Sequence, residues 1–269
     1  MSRREFIPIP PPAPLPGAET VSAADIKALC DSGEIDIVCV MGPTASGKTA
    51  FAVRLARELN TAYGCPKVEI ISADSRQVYR GMDIGTGKDL EEYGEIPVHL
   101  VDVVEPGARY NICAYQRDFS AVYADCLRRG ILPVLCGGSG LYVEAVTRPE
   151  YEMREQSRST LALPSKPYFL AVLVDRDERR ARIDRRLDER LEEGLVEEVR
   201  GLLRNGVAEE TLLRYGLEYR FVTLYIKGEL TFEQMHEQLR FAIHRFAKRQ
   251  MTWLRGMEKD GVRIHWVEI

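Results

Sequence analysis

Apolar positions in this chain fall into two kinds of pattern. Apolar-rich strand candidates occur at Ile37–Met41, which is apolar throughout, and at Val68–Ser72, Val98–Val103, Ile131–Cys136 and Tyr168–Val174. Short runs bounded by turn residues read as buried strands. Between most of them the apolar positions follow helical spacing. In Ala50–Leu59, for example, Phe51, Leu55 and Leu59 share one face. Strands alternating with helices predict an α/β fold, a mostly parallel sheet with helices on both faces. After Asp175 the pattern is helical as far as Arg255. Ile183, Leu187, Leu191 and Leu195 repeat every four residues, and Met235, Leu239, Ile243 and Phe246 follow in a later helix. This helical C-terminal part ends in a short strand at Val262–Val267. Near the start, Ser22–Leu29 reads as a short helix capped by Ser22.

Two stretches stand apart from this pattern. Met1–Gly17 contains Pro8, Pro10, Pro11, Pro12, Pro14 and Pro16, a density that forbids a helix and favours an extended arm. Residues 1–34 are therefore read as a proline-rich extension, and 35–269 as one large domain. Residues 150–166 are polar, lack a period and carry Pro164 near their end, so they read as a linker or loop.

Composition narrows the function. The 269 residues are 45% hydrophobic and 29% charged, which predicts a globular protein with a sizeable core. A net charge of −4 argues against a chain that binds nucleic acid through overall basicity. The six cysteines form no C-x-x-C pair, which argues against a zinc site, and Cys39 and Cys136 lie in apolar runs as expected of core thiols in a reducing, cytoplasmic compartment. No signal-peptide pattern and no membrane-spanning run are expected.

The chemistry concentrates in Gly42-Pro43-Thr44-Ala45-Ser46-Gly47-Lys48-Thr49, which fits the phosphate-binding P-loop G-x-x-x-x-G-K-[ST]. It lies between a predicted strand and a predicted helix. There, backbone N–H groups and the helix dipole favour an anion, Lys48 adds a full charge, and the Thr49 hydroxyl suits Mg²⁺. The motif implies a bound polyphosphate without naming it.

Ser72-Ala73-Asp74-Ser75-Arg76-Gln77-Val78-Tyr79 follows the second strand, so Asp74 lies at the carboxyl edge where ligands bind open α/β sheets. Asp74 can take a proton, help hold a metal, or simply cap a following helix. Gln77 and Tyr79 offer an amide and a ring to a base. Gly81-Met82-Asp83-Ile84-Gly85-Thr86-Gly87-Lys88 and Gly137-Gly138-Ser139-Gly140-Leu141-Tyr142 are two more glycine-rich loops. Glycine there allows close backbone approach to a ligand, or makes an ordinary turn. Arg179, Arg182, Arg186 and Arg190 recur three or four residues apart among acidic residues. They form a solvated ion-paired face, from which one or two can reach a diphosphate. Lys248-Arg249-Gln250-Met251-Thr252-Trp253-Leu254-Arg255 suits either a nucleic-acid backbone or a helix C-terminus.

Taken together and in order, the P-loop, Asp74–Tyr79, Gly81–Thr86, Gly137–Tyr142 and Lys248–Trp253 resemble the tRNA dimethylallyltransferase family. The resemblance implies a P-loop NTPase-like fold. It implies transfer of a dimethylallyl group from dimethylallyl diphosphate to N6 of the adenine beside the anticodon, with Mg²⁺ as cofactor. It makes Asp74 the general base, with Asp74, Ser75, Arg76 and Gln77 lining the acceptor site. It puts Thr44, the P-loop backbone and Lys48 on the donor diphosphate, and Mg²⁺ at Thr49. Arg182–Arg186 resembles a segment that meets tRNA or the leaving diphosphate, and Arg220 within Gly216–Arg220 is a rival to Arg186 for the diphosphate. Ser139 stands where the family usually has Thr near the acceptor.

Two departures are visible. The family's helical insertion that grips the anticodon stem is reduced here to residues 150–166, and Asp89 replaces the usual Pro after Lys88. The shortened insertion keeps a second acceptor open, a free adenine nucleotide. A P-loop small-molecule kinase is a further reading, opposed by the Ile131–Cys136 strand, which ends in glycines rather than a metal-binding Asp.

Overall fold

The computed structural model describes residues 17–148 and 161–269. Most of the proline-rich arm, and most of the 150–166 stretch, lie outside these residues. The described strands are β1 (Ile37–Met41), β2 (Val68–Ser72), β3 (Val98–His99), β4 (Leu132–Gly137), β5 (Pro167–Leu173) and β6 (Ile264–Glu268). They form a six-stranded sheet in the order β3-β2-β4-β1-β5-β6, with every pairing parallel. The helices are α1 (Ala23–Asp31), α2 (Lys48–Tyr63), α3 (Ile112–Arg129), α4 (Gly140–Thr147), α5 (Arg176–Glu193), α6 (Leu195–Arg204), α7 (Glu209–Leu212), α8 (Leu217–Ile226) and α9 (Phe232–Lys259).

Every residue of β1 is buried, because both faces of the sheet are covered. Val38 and Val40 point into a core shared with Ile26 of α1 and Leu55 and Leu59 of α2. Ile37, Cys39 and Met41 point the other way, into a core with Phe119 of α3, Val143 of α4 and Leu254 of α9. A third core lies among the C-terminal helices, where Ile183, Leu187, Leu195, Tyr219 and Leu239 surround Tyr79 and Met82. The long α9 serves two cores: Met235, Leu239 and Ile243 join the helical one, while Met251, Leu254 and Met257 pack beneath the sheet. The helix therefore bridges the two halves and carries its middle past the carboxyl ends of the strands.

Local chemistry sets the ends of these elements. Ser22 and Asp25 form a capping box on α1, and Thr231 and Gln234 form one on α9. Asp175 caps α5 by accepting from the N–H groups of Asp177 and Glu178. Residues from 17 to 34 are tied into the body. The Glu19 N–H donates to the Trp266 carbonyl at 2.6 Å, and the Glu19 carboxylate lies 2.6 Å from His265 Nδ1.

The strand expected at Val98–Val103 is cut to Val98–His99. Leu100 and Asp102 have φ of 61° and 55°, left-handed values that no strand contains. The chain turns away from β2 and pairs instead with the segment after it: the N–H groups of Asp102 and Val103 donate to the carbonyls of Gln77 and Val78 at 3.0 and 2.8 Å. Val103 thus supports the Asp74–Tyr79 segment rather than extending the sheet.

Beside β3, Glu69 accepts two hydrogen bonds from Arg129, at 2.6 and 2.7 Å, and lies 2.7 Å from His99 Nε2. Glu69, His99 and Cys126 have the donor types of a metal site, yet the Arg129 guanidinium already grips the carboxylate. That grip, with His99 assisting against burial, draws the Glu69 pKa from 4.5 to about 2. A lowered carboxylate pKa gives stability that is present above the unfolded value and lost as pH falls through the folded one. The stability gap between the wild type and Arg129→Gln, measured by urea unfolding, is expected to be widest near neutral pH. It should close as pH falls from 4.5 towards 2.

Candidate active site

The P-loop turns at the carboxyl end of β1, in the middle of the sheet. Ala45 and Gly47 have φ of 58° and 81°, on either side of Ser46, and this left-handed pair bends the backbone around the position an anion takes. Gly42 has no room for a side chain, because a Cβ there would lie 2.5 Å from Ser46 Oγ. Pro43 accepts from the Ser46 N–H at 3.3 Å, and the Ser46 hydroxyl is buried without a partner among the described residues. α2 starts at Lys48, two residues before the stretch read as helical from sequence, so Lys48 and Thr49 form its first turn.

A cavity of about 740 Å³ opens in front of this loop. Thr44, Lys48 and Thr49 form one wall, and Asp74, Ser75 and Arg76 another. Carboxylate and phosphate loop thus face one shared space. Turns follow β2 in place of a helix, so Asp74 caps no helix. It makes an Asx-turn instead: Oδ1 accepts from the Arg76 N–H at 2.9 Å, and Oδ2 has no hydrogen-bond partner among the described residues. Ser139 sits opposite, where its hydroxyl accepts from the Ser75 N–H at 3.0 Å and donates to Ser75 Oγ at 3.2 Å.

Two readings of this segment change. The Gln77 amide is already engaged: Oε1 accepts from Ser72 Oγ at 3.2 Å and Nε2 donates to the Gly87 carbonyl at 3.0 Å. Gln77 borders the cavity and fixes the second glycine loop to β2. Tyr79 does not face the cavity. Its ring packs 4.4 Å from that of Tyr215 in the helical core, because Val78 and Tyr79 lie in an apolar segment that this core absorbs.

The second glycine loop is held by a residue that no motif announced. The Glu198 carboxylate on α6 accepts from the N–H groups of Asp83, Ile84 and Gly85 at 2.7, 2.8 and 3.0 Å, and from the Tyr219 hydroxyl at 2.7 Å. This fixes Gly85 and Gly87 in the cavity wall. Gln250 of α9 performs a similar task between the other two loops. Its Oε1 accepts from the Thr44 N–H at 2.8 Å and its Nε2 donates to the Gly138 carbonyl at 3.0 Å. The Thr44 N–H is therefore taken, and only its side chain remains for a ligand. Gln250 and Trp253 were visible within a basic and aromatic segment. Their direction was not, because it depends on where α9 crosses the sheet.

The arginines divide sharply. Arg182, Arg185, Arg186 and Arg190 line a second chamber of about 610 Å³ on the other side of Lys48 and Thr49. Arg186 and Arg190 also line the first. Arg182 reaches past Gly47 and pairs with Glu178, and Arg186 donates to Asp89 Oδ2 at 2.6 Å. Arg220 lines neither chamber. It is exposed, with its guanidinium 5.9 Å from the Phe221 ring, because its place on α8 turns it from the core that buries Tyr219.

A family model described as IPP transferase matches residues 77–162 and 148–257. The chain belongs to the IPP transferase family. A relative named tRNA dimethylallyltransferase 1, from Parabacteroides distasonis, is 45% identical over 87% of this chain and 92% of its own length. One named tRNA dimethylallyltransferase 2, from Bacteroides fragilis, is 44% identical over 87% and 93%. Among solved structures, the tRNA isopentenylpyrophosphate transferase of Bacillus halodurans superposes with a TM-score of 0.74 at 29% identity, covering 87% of this chain and 89% of that one. The alignment with the P. distasonis relative spans 290 positions, more than the 269 residues here, so that relative carries residues this chain lacks. The two pieces of the family match meet at 148–162, within and beside the stretch read as a shortened insertion.

The electrostatics of this IPP transferase centre on Lys48. Burial lowers its pKa, Cys136 and Asp74 oppose that shift, and Arg186 and Arg190 reinforce it. An ammonium under that pressure gains more than a solvated one from an arriving anion. Apolar residues edge the mouth of the cavity. Leu141 and Phe246 are exposed there, and the Trp253 ring covers Gly140 while its Nε1 donates to Glu144 at 3.0 Å.

Proposed function

We propose that this IPP transferase moves a dimethylallyl group from dimethylallyl diphosphate to N6 of the adenine beside the anticodon in tRNA. The observation that carries this reading is the single cavity shared by Asp74 and the P-loop with Lys48. An adenine amino group is a poor nucleophile that turns acidic as it attacks the allylic carbon. The unpartnered Oδ2 of Asp74 takes that proton as the N–C bond forms. The donor C–O bond breaks, and its electron pair leaves with pyrophosphate. Lys48, Arg186 and the turned P-loop backbone offset the growing negative charge. The Thr44 side chain and Ser46 lie within the same loop, Ser75, Arg76 and Ser139 line the acceptor side, and Arg182 guards the outer chamber.

Mg²⁺ suits this site. It favours one or two protein oxygens with the rest of its shell from water and substrate phosphate, and Thr49 lines both chambers while its hydroxyl makes no hydrogen bond to any described residue. Bound there, the ion adds positive charge against the leaving diphosphate. We place the activity in the cytoplasm. The six cysteines are unpaired, and among the described residues no helix is long and apolar enough to cross a membrane.

The test is incubation with labelled dimethylallyl diphosphate and, separately, tRNA or AMP. Label is expected in tRNA. Label in AMP alone would move the acceptor to a free nucleotide, and phosphate transfer from ATP with no use of the donor would point to a kinase.

A further inference from the structure

Arg190 belongs to the arginine series expected on a solvated face with one or two members able to reach a diphosphate, and its surroundings are not those of a solvated residue. It is 12% exposed and lines both chambers beside Lys48. A Cβ on Gly87 would collide with the tips of both Arg190 and Arg186, so the two guanidinium groups stand side by side over that glycine. Gly87 also has φ of +58°, so two independent constraints keep a side chain out of this place.

Three cations therefore converge from Lys48, Arg186 and Arg190, and their compensation is incomplete. Asp89 takes a direct hydrogen bond from Arg186. Glu218, the second residue of α8, approaches Arg190 no closer than 3.6 Å, beyond hydrogen-bond range. Burial and the neighbouring Arg186 both push the Arg190 pKa down, with Glu218 and Asp89 opposing them. A guanidinium stays charged under such pressure. Like charges crowded in a partly desolvated wall are costly unless an anion joins them.

Two adjacent forks match two adjacent phosphoryl groups, since each guanidinium can hold two oxygens of one group. Resting on the donor reading above, we propose that Arg190, positioned by Glu218, forms with Arg186 a clamp selective for a diphosphate over a monophosphate. Arg190 meets the pyrophosphate as it departs, and Arg220 takes no part. Glu218 acts through Arg190. Its carboxylate, which also lines the first cavity, lies 3.6 Å from Arg190 Nη1, while Arg190 Nη2 stands over Gly87 beside Arg186 and is the end left for phosphate.

Calorimetric titration with inorganic pyrophosphate and inorganic phosphate, both with Mg²⁺, tests the clamp. Wild type is expected to bind pyrophosphate more tightly than phosphate. Arg190→Gln should weaken pyrophosphate binding by at least about tenfold and phosphate binding far less, and Arg220→Gln should change neither. Arg190→Gln leaves the Glu218 charge unpaired and risks the fold, so Arg190→Gln/Glu218→Gln is measured beside it. If Glu218 works only through Arg190, the double variant binds no worse than the single one. Wild-type affinity in both variants lacking Arg190, or an equal loss in Arg220→Gln, would overturn the clamp. Arg190-dependent pyrophosphate binding without any prenylation of tRNA would instead sink the proposed activity and leave the clamp standing.

Discussion

Asp74→Asn is expected to lower transfer of the dimethylallyl group to tRNA by about a thousandfold, within the range found for removal of a general base. Pyrophosphate binding should stay within about twofold of wild type, because the Asp74 carboxylate accepts its hydrogen bond from the Arg76 N–H and none from the phosphate loop. Asparagine is the informative replacement. Its carbonyl oxygen can still accept from the Arg76 N–H, so the Asx-turn that shapes the acceptor wall survives. What disappears is an oxygen able to take a proton. Single-turnover rates with preformed enzyme, donor and tRNA separate this effect from substrate binding. Wild-type turnover by the variant would show that the amine loses its proton elsewhere.

Lys48→Met is expected to remove donor binding and stabilise the fold at once. Loss of the P-loop cation should cut transfer by about a hundredfold or more, as for other groups that stabilise developing charge. The stability effect follows from the lysine's surroundings. Burial and two nearby arginines depress its pKa below the ordinary 10.5, so folding with this group charged is penalised. That penalty is present in full at neutral pH and fades as pH rises, when the ammonium loses its proton in the folded and then the unfolded chain. Methionine removes the charge and keeps the length. A higher melting temperature than wild type is expected at pH 7, with the difference shrinking towards pH 10.5. A variant that melts lower than wild type at pH 7 would show that Lys48 is well compensated by Asp74. The trade of stability for a strained, charged pocket is a common feature of sites built to receive an anion.

Much of the frame was legible because its determinants are local. β1 begins and ends where its apolar run does, since a strand buried on both faces favours an unbroken run, and β2 keeps its expected bounds although Glu69 interrupts it, because Arg129 pairs with that carboxylate. α1 begins after Ser22, as its side chain required. β3 failed for the opposite reason. Val98–Val103 has the composition of a strand, yet Leu100 and Asp102 adopt left-handed backbone so that the chain can pair with Gln77 and Val78, a partner no window of sequence reveals.

The sites divide in the same way. Lys48, Thr49 and Asp74 were readable because a phosphate loop and a residue at a strand's carboxyl edge carry their placement in the adjacent sequence. Arg220 and Arg190 were not. Both lie on helices of the C-terminal part, and whether each faces the cavity or solvent follows from packing around Tyr219 and Leu187. Glu198 was silent, and Gln250 was visible only as part of a motif without its role, since a carboxylate on α6 and an amide on α9 acquire their partners only when distant loops arrive at them.

By itself, then, the sequence determined the order of strands and helices, the phosphate loop and the acidic residue opposite it, because short-range sterics and hydrophobic spacing act over a few residues. Tertiary structure alone decided which arginines reach the phosphate side, which polar groups lock the three loops together, and where the sheet stops. Those outcomes depend on packing and charge compensation between segments far apart along the chain, and such contacts leave no periodic trace within any one of them.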